Sequence, residues 1–309
     1  MRSLLIPAAD RPVLGIFLML GFCVLAPLAD AIVKILGDAV PLAMVIFLRF
    51  LIQAVLLIPL TLGRGASLAL PRAVWPIMVV RTALHLCGIA LMFLALRFMP
   101  LADAIAIAYV MPFFVLLAGW FWLGERVGPR RLITCCVGFA GTLLILKPSF
   151  AALGPVALLP VAVAVVFSVF MLLTRVVSRA IPPLELQAVN GFLGAALMAP
   201  FLGLGLAIDA PELALVWPDG RQMVLLLLIG GLGTVAHLFL TWSLSVAPAS
   251  TLAPIQYLEI PVAVLLGLVI FREFPDGLAI LGIAVVMACG LYLIWRENAG
   301  ASAGPAEAP

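Results

Sequence analysis

Charge is what this sequence has least of. Lys, Arg, Asp and Glu make up 10% of its 309 residues, against about a quarter in soluble domains, while 66% are hydrophobic. One water-soluble core cannot hide that much apolar surface, and no stretch is left over for a separate soluble domain. The net charge of +3 comes from Lys and Arg scattered between apolar segments, not from the basic face that a nucleic-acid partner requires. The five cysteines, Cys23, Cys87, Cys135, Cys136 and Cys289, sit in apolar segments without metal-ligand spacing, so they read as small core hydrophobes. Paired histidines and grouped carboxylates are also missing, which weighs against a membrane enzyme acting on a lipid headgroup, the rival reading from another class. No Gly-x4-Gly-Lys loop is present to cradle phosphates, and no ring of charge or repeated filter suggests a channel. Neither a cofactor nor a metal is called for.

What remains is a succession of apolar runs of about 20 residues, the length that crosses a bilayer as a helix. Breaking the chain at charge, Pro and Gly clusters predicts spans at 13–36, 42–62, 74–97, 101–123, 130–147, 155–177, 184–208, 222–245, 248–271 and 277–296. Such long runs without alternation exclude a barrel. Arg2 and Arg11 before an apolar stretch, with Ala29-Asp30-Ala31 after it, imitate a signal peptide. The counterpart of this stretch in the second half makes it the first helix instead. The segments 1–12 and 299–309 are tails, the second rich in Ala, Gly and Pro and expected to be disordered.

Cytoplasmic loops are enriched in Lys and Arg. With the N-terminus inside, Arg2, Arg11, Arg64, Arg72, Arg126, Arg130, Arg131, Arg175, Arg179 and Arg296 become cytoplasmic. Lys34, Arg97, Lys147, Arg221 and Arg272 fall on the other side, with Asp209, Glu212 and Asp219. Ten helices return the C-terminus to the cytoplasm, giving a multi-pass protein of the cell inner membrane.

At an offset of 148 the chain repeats itself: Leu96, Pro100, Tyr109, Glu125 and Leu143 fall on Leu244, Pro248, Tyr257, Glu273 and Leu291. Pro41-Leu42 and Pro183-Leu184 likewise open helices 2 and 7. Residues 13–147 and 155–296 are therefore expected to be two repeats of five helices, and the odd number inverts the second relative to the first. Transporters use this architecture, with substrate near the midplane between the halves.

The stretch Met99-Pro100-Leu101-Ala102-Asp103-Ala104, continuing through Tyr109 and Pro112 to Gly124-Glu125-Arg126 and then from Gly138 to Pro148, resembles the EamA-type branch of the drug/metabolite transporter superfamily. Its echo from Pro248 through Glu273 extends the resemblance over residues 13–296. The second copy departs from the pattern, with Phe271-Arg272-Glu273-Phe274 where the first has Leu123-Gly124-Glu125-Arg126. The resemblance implies ten helices in two inverted repeats around a central cavity, and substrates among amino acids, nucleotide sugars, vitamins, other metabolites and drugs.

A charge at the bilayer centre costs about 2.5–3.5 kcal/mol on insertion scales, so each one needs a partner or a wet cavity. The intramembrane set is Asp30, Arg49, Arg81 and Glu259, with His85, His237, Asn190, Gln53 and Gln256 as polar companions. Glu259 lies ~16 Å along predicted helix 9, near the midplane, on one face with Gln256 and bracketed by Pro254 and Pro261. There it is the candidate for proton coupling as well as for substrate contact. Arg81 and His85 share a face of helix 3 and suit a carboxylate or phosphate, as does Arg49. Arg49 lies ~12 Å from one end of its helix and Arg81 ~10 Å from the other, so the two need not share a site. Asp30 and Lys34, four residues apart, are expected to pair. Tyr109 and Tyr257 hold equivalent repeat positions and can stack on a ligand. Helix 8 adds His237 as a candidate, together with Trp242, which also suits an interfacial anchor.

These features predict a secondary active transporter working by alternating access on a small polar metabolite, proton-coupled or exchanging. An amino acid or organic acid fits the intramembrane cations best, and export of drugs or cationic metabolites is the alternative that Asp30 and Glu259 keep open. The partners implied are the substrate and the bilayer.

Overall fold

The computed structural model describes residues 11–111, 113–114, 129–178, 180–208, 210–247, 252 and 255–302. Pro112, Gly124-Glu125-Arg126, Arg179, Asp209, Pro248, Pro254 and the two chain ends beyond these bounds lie outside them, so expectations placed on those residues are left there. Among the described residues the chain is all helical: α1 Pro12–Leu36, α2 Leu42–Gly63, α3 Trp75–Leu96, α4 Leu101–Ala108, α5 Pro129–Leu153, α6 Leu159–Ser178, α7 Pro183–Gly205, α8 Gly220–Val246, α9 Glu259–Leu266 and α10 Gly277–Ser302. Among the described residues six helical stretches are long and apolar enough to cross a membrane, one of them joining α5 to α6 through a short 3₁₀ turn.

Helix starts follow local chemistry. Proline stands in the first turn of α1, α3 and α7, where its missing N–H costs nothing. A capping box opens α8: Asp219 accepts from the Gln222 backbone N–H at 2.7 Å, and the Gln222 side chain accepts from that of Asp219 at 3.0 Å. α1 ends at Gly37, whose φ of 54° suits a residue without Cβ.

Two predicted helices are not continuous. α4 gives way to a turn at Tyr109 and Val110, and α9 begins only after a turn at Tyr257 and Leu258, the same places in the two repeats. Hydrogen bonds there shorten to three-residue spacing, Val110 N to Ile107 O at 3.1 Å and Ile260 N to Tyr257 O at 3.2 Å. Glu259 therefore sits in the first turn of a new helix instead of midway along an old one. α9 then loosens into a π-turn over Gly267–Phe271 that ends at Arg272 with φ 58°. At the other end of the chain, helix replaces the expected disorder from Ala299 to Ser302.

The principal helix pairings are α1 with α8, α2 with α7 and with α8, α3 with α6 and α5 with α10; α4 lies against α9, and α3 also meets α7. Glycine sets the closeness of α2 and α7: a Cβ on Gly191 would come within 2.7 Å of the Ala54 backbone N, and one on Gly194 would enter the Phe50 ring. At the end where α1 finishes, Lys34 donates to both Glu273 oxygens at 2.7 and 2.8 Å and to Met99 O at 2.9 Å. This corrects the expected Asp30 to Lys34 pair: Lys34 reaches across to the α9–α10 connection, while Asp30 turns into the interior. At the same end Arg97 bridges Asp38 at 3.1 Å and Glu212 at 2.8 Å.

Candidate substrate site

A partly open hollow, about 880 Å³ when the open solvent at its mouth is counted, lies among α1, α2, α3, α4, α6, α8 and α9. Its polar lining is Asp30, Arg49, Tyr109, His237, Gln256 and Glu259, and aromatic and aliphatic groups such as Phe22, Phe93, Met92 and Phe167 supply the rest. A mostly apolar hollow with a few convergent polar groups is the usual form of a small-molecule site.

The sequence places these groups on separate elements, and packing brings them together. Glu259, at the α9 break, and Tyr109, at the α4 break, share the lining of the cavity. The two repeat-equivalent tyrosines meet, with Tyr109 and Tyr257 ring centroids 5.3 Å apart. Cys23 of α1 donates to Ile255 O at 3.5 Å, using a carbonyl beside the interrupted helix. Asp30 shares the lining with Arg49 and feels its charge.

Arg49 and Arg81, which separate depths along their helices had set apart, belong to one buried network. Arg49 Nη2 donates to His237 Nδ1 at 3.0 Å, and the His237 and His85 rings lie 4.4 Å apart. His85 Nδ1 lies 3.1 Å from Asn190 Nδ2, and Asn190 Oδ1 accepts from Arg81 Nη1 at 2.8 Å and from Thr82 at 3.1 Å. Arg81 Nε donates to Thr174 at 2.8 Å, and its guanidinium lies 4.7 Å over the Phe170 ring. Arg81 is fully enclosed, so it does not snorkel to an interface. Arg81, His85 and Asn190 form a layer behind the cavity, whereas Arg49 and His237 line it.

Neither guanidinium has a carboxylate within ion-pair distance among the described residues. Among the described residues Arg49 Nη1 and Arg81 Nη2 are buried without a hydrogen-bond partner, as are the Nε2 atoms of His85 and His237. Buried polar groups are costly to leave unpaired, so these four atoms mark where an acceptor would be gained.

The structure does not bring Trp242 to the cavity. That residue is 42% exposed on the outer face of α8, as suits an anchor in the bilayer. Two contributors went unnoticed in the sequence. Gln187 joins Gln53, which donates to its side chain at 2.8 Å, to the His237 carbonyl at 3.0 Å and to Thr241; its spacing of three from Asn190 was the available signal. Thr174 had none, since a lone hydroxyl in an apolar helix commonly bonds its own backbone, as this one also does to Phe170 O at 2.7 Å.

The EamA-like transporter family matches this chain twice, over residues 13–147 and 154–296. The chain belongs to that family. This EamA-like chain is a multi-pass membrane protein and, with its relatives, a transporter of small metabolites. It is 30% identical to a riboflavin transporter of Brucella anthropi, over 85% of this chain and 91% of that protein. It is 33% identical to a riboflavin transporter of Rhizobium johnstonii over 71% and 70%. An S-adenosylmethionine uptake transporter of Rickettsia prowazekii is 25% identical over 92% and 93%. A solved crystal structure 26% identical in sequence overlays with a TM-score of 0.63, covering 92% of this chain and 97% of that one.

Proposed function

We propose that this protein is a secondary active uptake carrier of the inner membrane, with ten crossing helices, both termini cytoplasmic, and a substrate carrying a flat, carbonyl-bearing heteroaromatic ring of the riboflavin kind. Two inverted repeats, 13–147 and 155–296, rearrange about the cavity. Equating each of α1 to α5 with the helix five places later supports this reading, because it maps the pairing list onto itself. The pairs α2 with α7, α4 with α9 and α5 with α10 return to themselves, and α1 with α8 becomes α6 with α3. The contact between Tyr109 and Tyr257 and the matching interruptions of α4 and α9 fit the same two-fold relation. Interrupted helices meeting near the middle of the membrane are a common form of transporter site.

The observation that carries the substrate reading is the cavity lining. Phe22, Phe93, Phe167 and Tyr109 offer faces and edges to a flat ring, Arg49 and His237 offer donors to carbonyl oxygens, and Asp30 and Glu259 offer acceptors to hydroxyl groups. The relatives carrying riboflavin and S-adenosylmethionine are consistent with a ring-bearing substrate. The second reading, an amino acid or organic acid, draws on the presence of Arg49 and Asp30 in one cavity lining, which suits a zwitterion. Proteoliposomes decide between them: labelled riboflavin is expected to accumulate and to be competed by flavins but not by amino acids, and the reverse competition would overturn the flavin reading.

Glu259 is the proposed coupling residue. It lines the cavity beside Tyr109, so substrate and proton can share one site. An imposed proton gradient is expected to drive uptake in the wild type and not in Glu259→Gln. Equal gradient dependence in the variant would remove Glu259 from this role.

A further inference from the structure

We propose that Arg49 fixes the tautomer of His237, so that the lining contributed by α2 and α8 offers only hydrogen-bond donors and takes the ligand edge that bears oxygen acceptors. The proposal rests on reading the cavity as the substrate site, and it names the residue pair that orients the ligand there.

The argument is one of donor and acceptor accounting. Asn190 Oδ1 already accepts from Arg81 and Thr82, so the neighbouring amide nitrogen is fixed as the donor to His85 Nδ1. A neutral imidazole carries one N–H, so the His85 hydrogen lies on Nε2. His237 Nδ1 is claimed twice, by Arg49 Nη2 at 3.0 Å and by the Gly233 carbonyl at 3.0 Å. The two claims are incompatible. A guanidinium only donates and requires the Nδ1 lone pair, whereas a carbonyl only accepts and requires an Nδ1 hydrogen. Hydrogen bonds to an ionised group are roughly twice as strong as neutral ones, and the Gly233 carbonyl is already within the α8 ladder, four residues before His237. Arg49 therefore prevails, and the His237 hydrogen moves to Nε2.

Gly233 makes this possible. A Cβ there would stand 3.1 Å from Arg49 Nε and 3.3 Å from Nη2, so the bare backbone lets the guanidinium lie against α8. The outcome is that Arg49 Nη1 and His237 Nε2, both without a hydrogen-bond partner among the described residues, are both donors on side chains that line the cavity. A ligand edge with amino groups would leave these donors unpaired, and one with carbonyl or carboxylate oxygens would satisfy them.

With two histidines in the chain, ¹⁵N-histidine labelling of the full-length protein in nanodiscs gives two rings, assigned through His85→Gln. Two-bond nitrogen–proton correlations are expected to show His237 as the Nε2–H form in the wild type. Arg49→Met is expected to turn it into the Nδ1–H form, bonded to the Gly233 carbonyl, with His85 unchanged. Gly233→Val, which keeps the arginine but fills the space it occupies against α8, is expected to act the same way should Arg49→Met fail to fold. An Nδ1–H or doubly protonated His237 in the wild type, or a form unmoved by either variant, would overturn the proposal. This measurement uses no ligand, so it is decided whether or not flavins are carried. Lumazine and 2,4-diaminopteridine, flat rings differing in carbonyl against amino groups, test the selection. The wild type is expected to bind lumazine about tenfold more tightly or better, with the preference collapsing in Arg49→Met; equal binding of the two by the wild type would refute it.

Discussion

Removing the ammonium of Lys34 should loosen one end of the bundle by a calculable amount. Its side chain is 14% exposed and that of Glu273 33%, which places the pair between a surface bridge and a buried one. Exposed pairs contribute about 0.2–1 kcal/mol, and breaking a fully buried pair costs about 3–5 kcal/mol. Short contacts to both carboxylate oxygens, with a third bond to Met99 O, favour the middle of that interval, so a coupling of about 1–2 kcal/mol is expected. The test is a double-mutant cycle of Lys34→Met and Glu273→Gln, melted in one detergent at one scan rate. For a chain of 309 residues each kcal/mol moves the midpoint by roughly 1.5 °C. Each single variant should lose at least about 1.5–3 °C, and the double variant should lose clearly less than the sum. Strict additivity would mean that the two groups do not interact and that the end is held by packing alone.

Three further outcomes follow from the geometry. Gly191→Ala should destabilise by about 1–3 kcal/mol in the same melting assay, because the added Cβ meets backbone at Ala54 and backbone cannot step aside. Arg272→Gly should change stability little, whereas Arg272→Val should lower it by about 1–2 kcal/mol in the melting assay, since the left-handed φ of 58° is poorly tolerated by a β-branched side chain. Asn190→Leu should lower the unfolding free energy from denaturant titration by about 2–4 kcal/mol by leaving Arg81, Thr82 and His85 each short of a partner, while Asn190→Asp should be milder because it restores the acceptor to Arg81.

The line between what could be read early and what could not runs through particular residues. Apolar run length set the helices, and the prolines and glycines between runs set their ends to within a few residues. The repeat was legible because Tyr109 and Tyr257, or Pro100 and Pro248, survive as identical residues in an apolar background. The interruptions at those same tyrosines were not legible, because hydropathy averages over a window and a turn of two residues leaves no trace in it. Lys34 misled for a related reason: spacing along a helix pairs it with Asp30, but only the three-dimensional return of the α9–α10 connection offers it Glu273.

The sequence by itself determined that this protein lies in a membrane, is helical, and carries a short set of polar side chains that had to be satisfied inside it. Burial of a charge in hydrocarbon is so costly that the mere presence of Arg49, Arg81, Asp30 and Glu259 announces a site. Which of them touch was decided only by tertiary structure. Arg49 and Arg81 join through His237, His85 and Asn190, contributed by three different helices, and directional hydrogen bonds between distant segments depend on helix rotation and on close approaches such as that at Gly233. Those are properties of packing, fixed by the whole bundle at once, and no local pattern encodes them.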